Sequence, residues 1–153
     1  MPYDPAQPRG PDGRWTNSPG QPYVSRKSIT ELRRMADSDG YISAGLDKGS
    51  RECAALVKAA LPELGPTSQW KKGPTITGAD DPVLRPGTAI GKGFDENGTY
   101  PSKSTGNHVA LVVGPGDKAG TVKILHQWRT RRAHMQDIDG SAIRGWSIVT
   151  RKK

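Results

Sequence analysis

Between residues 28 and 61 apolar positions recur every three or four places. Beyond residue 84 they come in short runs between turns, so the pattern predicts helices first and strands afterwards. Ser28-Ile29-Thr30-Glu31 has the form of a capping box, in which Ser28 accepts from the Glu31 amide while Glu31 reaches back. A helix of about two turns, to Ala36, should follow it. Asp37-Ser38-Asp39-Gly40 closes that helix with turn chemistry. A second helix is predicted from Ser50, an N-cap behind Gly49, because Cys53, Leu56, Val57, Ala60 and Leu61 share one helical face. Pro62 limits its length. The stretch "LGPTSQWKKGPTITGADDP" then reads as a long connection anchored by Trp70 and Ile76.

The strand-like half opens with "RPGTAIG", Arg85 to Gly91, a turn followed by a short apolar run. A polar excursion, "GFDENGTYPSKSTGN", contains the turn signal Asn97-Gly98. "HVALVVG" (His108 to Gly114) and "TVKILHQW" (Thr121 to Trp128) flank a Gly-Pro-Gly-Asp turn and should pair as an antiparallel hairpin. "GWSIVTRK", from Gly145, supplies a last strand. This order predicts an α+β domain, an antiparallel sheet with the Cys53 helix packed on one face. Residues 1–27 are rich in Pro and Gly and nearly devoid of aliphatic side chains, which predicts a flexible arm ahead of a single domain over residues 28–153.

Composition narrows the partners. Lys and Arg total 23 against 15 Asp and Glu, a net charge of +8 that favours anionic surfaces such as cell-wall polymers or nucleic acid. The cations are scattered, however. The one compact group, Arg129, Arg131, Arg132 and His134, is followed by Asp137 and Asp139 and has no interleaved aromatic residues on which bases could stack, so nucleic acid is disfavoured. No apolar run approaches the roughly 20 residues that cross a bilayer. The N-terminus lacks the basic start and apolar core of a Sec-type signal, so synthesis in the cytoplasm is expected, followed by release through lysis, injection or a dedicated secretion machine.

The single cysteine, Cys53, excludes an internal disulfide and a Cys-rich zinc module, so its chemistry is that of a free thiol. A cysteine nucleophile acts as thiolate and needs a helix N-terminus or an imidazole to favour that form. Cys53 lies in the first turn of its predicted helix, where unpaired amides and the dipole favour an anion and could serve an oxyanion hole. Of the three histidines, His108 opens the first hairpin strand and His126 stands late in the second, so antiparallel pairing can bring them together. Side chains alternate along a strand, so only one of His126 and Gln127 can face the base as its orienter. His134, among arginines, reads as solvated. A zinc site from His108, His126 and His134 lacks the short two-ligand spacing of common zinc motifs, and no cofactor or metal is expected.

In order along the chain come a Cys at a helix start, "RPGTAI", Gly-x-His-Val-Ala-Leu-Val-Val-Gly, and a strand ending in a polar residue before Gln-Trp. These resemble the NlpC and CHAP branches of papain-like cysteine peptidases and amidases, over about residues 45 to 130. The closest likeness is to small amidase-like members with "CxALVK", "GPTSQW" and "GNHxAL" stretches. The resemblance implies Cys53 as nucleophile, His108 as general base and His126 as orienter, "HQW" being similar to the "EQNW" of CHAP domains. It further implies an amide bond of the peptidoglycan stem or cross-bridge as substrate. Ser50, Glu52, Tyr41, Trp70, Asn107, Gln127 and Trp128 become candidate substrate contacts, although Ser50 is most simply a cap and the tryptophans, Trp146 included, packing residues. Glu52 departs from the Gln or Asp usual before the cysteine, and its carboxylate opposes thiolate formation. "YDPAQPRGPDGRWT", Tyr3 to Thr16, is similar to segments of phage minor head proteins. The expectation is a monomeric peptidoglycan hydrolase, either a phage lytic enzyme or an antibacterial effector, whose partner is a virion or an immunity protein. The competing expectation is a non-catalytic phage structural or wall-binding module of the same fold.

Overall fold

The computed structural model describes residues 22–102 and 105–152. The phage-like stretch Tyr3 to Thr16 and most of the expected arm lie outside the described residues. Helix α1 (Ile29–Arg34) starts on the expected capping box, with Ser28 Oγ accepting from the Glu31 amide at 3.0 Å and Glu31 Oε1 accepting from the Ser28 amide at 3.2 Å. Helix α2 (Cys53–Ala60) begins later than the sequence suggested, because Glu52 and not Ser50 is its N-cap. Ser50 instead accepts from the Glu52 amide at 3.2 Å and shapes the turn before the helix. The segment 22–27, expected to belong to the arm, packs on the domain: Val24 bridges Thr88, and Ser25 is buried with its hydroxyl donating to the Ala60 carbonyl at 2.9 Å.

Six antiparallel strands form one sheet in the order β1-β6-β2-β3-β4-β5. They are β1 (Trp70–Thr75), β2 (Ala89–Lys92), β3 (His108–Pro115), β4 (Thr121–Trp128), β5 (Arg131–Asp139) and β6 (Ser147–Arg151). A four-residue helix α3, Gly140–Ile143, links β5 to β6. The β3–β4 hairpin and the last strand match the expectation, but β1 and β5 do not: the first read as a connection and the second as a solvated basic group. Both are edge strands. Lys71 and Lys72 are exposed on β1, and Arg131, Arg132 and Asp139 are exposed on β5. An edge strand needs no apolar alternation to hydrogen-bond its neighbour, and charged edges discourage pairing with other chains. Pro74, which has no N–H to donate, sits at the irregularity in the β1–β6 pairing, a place that only an edge strand tolerates.

Side-chain alternation divides the core in two. On one face Leu56, Val57 and Leu61 of the α2 segment pack against Val109, Leu111, Leu125 and Val149. On the other, Ile90, Ala110, Val112, Ile124 and Ile148 are covered by Ile76, Ile143 and Trp146. Leu56 and Val57 are fully buried, and each such side chain contributes about 1.5–3 kcal/mol relative to exposure. The helix is thus held by packing more than by its eight-residue length. The two faces also decide which functional side chains can meet.

Candidate functional site

Cys53 is the first residue of α2 and is partly buried against the helix-face core. Its backbone is anchored from the sheet. Gln127, fully buried, donates from Nε2 to the Glu52 carbonyl at 3.0 Å and to the Ile42 carbonyl at 2.9 Å, while its Oε1 accepts from the Ile42 amide at 2.8 Å. Gln127 therefore acts as a buried clamp between β4, the Ile42 segment and the start of α2. No side-chain hydrogen bond caps the helix N-terminus, so the positive end of its dipole lies at the residue that carries the thiol.

Tyr100 supplies the polar neighbour of the sulfur, its Oη lying 3.7 Å from Cys53 Sγ. The phenol is almost wholly buried, packed edge-on against Phe94 and tilted against Trp70. Burial first, and then the proximity of Cys53, raise its pKa well above the usual phenol value, so it is a neutral hydroxyl at any working pH. Nothing in the polar stretch around it signalled this role, because its burial comes from partners distant in sequence. The carboxylate of Glu52 turns outward to Arg129, at 2.6 Å, in a solvent-exposed pair. The Glu52 carboxylate thus has a counterion. Tyr41 is buried, donates its hydroxyl to the Arg129 carbonyl at 2.9 Å and lies under the Arg51 guanidinium.

The imidazoles form a separate group. His108 Nε2 and His126 Nδ1 are 2.8 Å apart, and His126 Nε2 is 3.0 Å from Gln136 Oε1. His134, expected to be solvated alone, lies across from His126 in the β4–β5 pairing with ring centroids 4.5 Å apart. Trp128 meets all three imidazoles edge-on, Trp146 meets His108 edge-on, and Lys92 Nζ lies 5.0 Å from the centroid of the Trp146 ring. Desolvation is the main cause that lowers the pKa of His108 to about 4, with Lys92 and His134 adding to it. His126 is lowered to about 4 likewise, by desolvation and then by His108 and His134, against an opposing hydrogen bond to Gln136. Asn107 donates to the Pro101 carbonyl at 2.7 Å and fixes the start of β3. Gly93 passes so close to Gly106 and Asn107 that a Cβ there would collide with backbone.

The expected meeting of nucleophile, base and orienter is not made in this structure. His108 and His126 alternate in phase with Ala110 and Ile124, on the face covered by Ile143 and Trp146, whereas Cys53 packs on the α2 face. The same alternation puts Gln127 on the Cys53 side and His126 on the other. Among the described residues no hydrogen bond joins Sγ to an imidazole, and no group of three His, Cys, Asp or Glu is arranged to hold a metal ion. Trp70 is core, donating its indole N–H to the Leu64 and Gly65 carbonyls, while Trp128 is partly exposed. Ser50 and Asn107 make structural hydrogen bonds.

No protein-family model matches the sequence, and no curated protein matches it. A solved structure described as type 6 secretion amidase effector 2 (Tae2) is similar, with a TM-score of 0.58 at 21% sequence identity over 86% of this chain and 96% of that one. The likeness shows the fold: an α+β domain built on a small antiparallel sheet. Among the described residues no helix is long and apolar enough to cross a membrane.

Proposed function

We propose that this protein is a papain-like cysteine amidase of the NlpC/CHAP type that cleaves an amide bond of peptidoglycan, acting as an antibacterial effector or phage lytic enzyme. The observation that carries the reading is the thiol at the uncapped first residue of α2, in a fold similar to that of a protein described as an amidase effector. The net charge of +8 suits an anionic wall. In the reaction, the Cys53 thiolate adds to the amide carbonyl carbon, and amides of the first α2 turn receive the developing oxyanion. Collapse breaks the C–N bond as His108, which in this reading has taken the proton of the Cys53 thiol, passes that proton to the leaving amine. Water then hydrolyses the thioester, releasing a carboxylate and restoring the thiol.

This route makes one conformational demand. His108 stands on the opposite face from Sγ, so the start of β3 at Gly106-Asn107 has to turn the imidazole toward α2 for proton transfer. Gly106, with a φ of +85° and open space around it, is a pivot that other residues would not provide.

The separation of thiol and imidazoles favours a second reading, a wall-binding or phage structural module without turnover. The test is to incubate purified peptidoglycan with the parent, Cys53→Ala and His108→Ala, after circular dichroism has shown all three folded. The amidase reading expects new free amines and soluble muropeptides from the parent alone. Equal, negligible release by all three overturns it, and co-sedimentation with the wall under those conditions supports the second reading.

A further inference from the structure

We propose that Gln136 is a positioning residue that acts through His126 to leave Nδ1 of His108 as the bare, proton-accepting nitrogen of the chain His108–His126–Gln136. The inference rests on the reading above in that His108 is taken as the base, and it concerns the resting arrangement, before the imidazole turns toward α2. The argument begins at the end of the chain with the least freedom. Gln136 Oε1 can only accept, so the hydrogen bond at 3.0 Å requires the proton on His126 Nε2. A neutral His126 then has its lone pair on Nδ1, which faces His108 Nε2 at 2.8 Å. The His108 proton must therefore be on Nε2, and Nδ1 is left without a proton. Among the described residues Nδ1 of His108 has no hydrogen-bond partner, so its lone pair is available.

Three features hold the chain in this direction. Gln136 lies opposite Ile124 in the β4–β5 pairing, one step along the same face from the His126–His134 pair, so strand register delivers its amide to the ring. His134 donates its own Nδ1 proton to the Arg132 carbonyl at 2.8 Å, because a carbonyl cannot donate, and it does not compete for Gln136. The charged groups that face the rings are cationic, Lys92 from β2 and Arg131 from β5, with His134 titratable beside them. They oppose a second proton, and a neutral pair is what gives the chain a direction. The arrangement follows the general rule that the partner of one imidazole nitrogen determines which nitrogen carries the proton.

The test uses long-range nitrogen–proton NMR correlations on the 15N-histidine-labelled full chain near neutral pH, which distinguish protonated from bare ring nitrogens without any need for turnover. The parent is expected to show both His108 and His126 as single Nε2–H tautomers. Gln136→Leu is expected to lose the single-tautomer pattern at both rings. Gln136→Glu, which keeps the acceptor, is expected to retain it and to raise the titration midpoint of His126. An Nδ1–H tautomer at His108 in the parent overturns the proposal, as do unchanged tautomers in Gln136→Leu. Because the parent spectrum decides by itself, a poorly folded variant leaves the proposal falsifiable. An inactive protein with the expected tautomers removes the amidase reading and keeps the hydrogen-bond chain.

Discussion

His108 and His126 meet nitrogen to nitrogen at 2.8 Å on the sheet face that α2 does not cover, and both are held neutral there. Imidazoles protonate near 6.5 in an unfolded chain, and burial lowers both here to about 4. Between those values the unfolded chain binds protons that the folded one refuses. Stability is therefore flat above 6.5 and is lost as the pH falls toward 4, by up to two protons' worth of slope. Urea midpoints across that window should fall in the parent and fall less in His126→Gln. Identical profiles for the two proteins would refute this account, and the comparison removes the contribution of carboxylates, which titrate alike in both.

Gln127 ties β4 to the Ile42 segment and to the start of α2. Gln127→Leu keeps the size of the side chain but leaves the Ile42 amide and the Ile42 carbonyl without their partner, while the Glu52 carbonyl still accepts from the Ala55 amide at 3.1 Å. Each buried polar orphan costs about 1–3 kcal/mol, so we expect a loss of about 3 kcal/mol after the added apolar contact offsets part of it. The urea-unfolding free energy measures this. A change below about 1 kcal/mol would show that water or a backbone shift replaces the clamp.

The elements legible in the sequence are those whose burial follows a local rule. The capping box of Ser28 and Glu31, the α2 face of Leu56 and Val57, and the β3–β4 hairpin each carry their signal within a few residues. Strands β1 and β5 do not, because an edge strand satisfies its backbone on one side and leaves Lys71 or Arg132 in water. The same limit applies at the site. The pairing of His108 with His126 was readable from hairpin register, but His134 and Gln136 arrive on the unrecognised β5. Tyr100 reaches Cys53 only through packing against Phe94 and Trp70. Strand alternation distinguished His126 from Gln127 in advance, yet which of them shares a face with Cys53 depended on how α2 packs across the whole sheet.

Tyr100→Phe removes one hydroxyl, 3.7 Å from Sγ, and leaves the ring packing in place. The phenol can donate to the sulfur, and a hydrogen bond to a charged group contributes about 1.5–3 kcal/mol at good geometry, less at this distance to sulfur. Alkylation of Cys53 near neutral pH should slow several-fold, with the urea midpoint little changed. An unchanged rate would mean that the hydroxyl donates elsewhere.

Arg129→Ala separates reactivity from stability at the start of α2. The Arg129–Glu52 pair is close, at 2.6 Å, but both side chains are mostly in solvent, and exposed pairs contribute about 0–1 kcal/mol. Global stability should therefore move by less than about 1 kcal/mol. The local consequence is different in kind, because removal of the guanidinium leaves the Glu52 carboxylate uncompensated directly before Cys53. Alkylation should slow at low ionic strength and recover as salt screens the carboxylate. Glu52→Gln should restore the rate in the Arg129→Ala background at every salt concentration. A slow double variant would place the effect in lost packing of the arginine stem against this surface, and not in its charge.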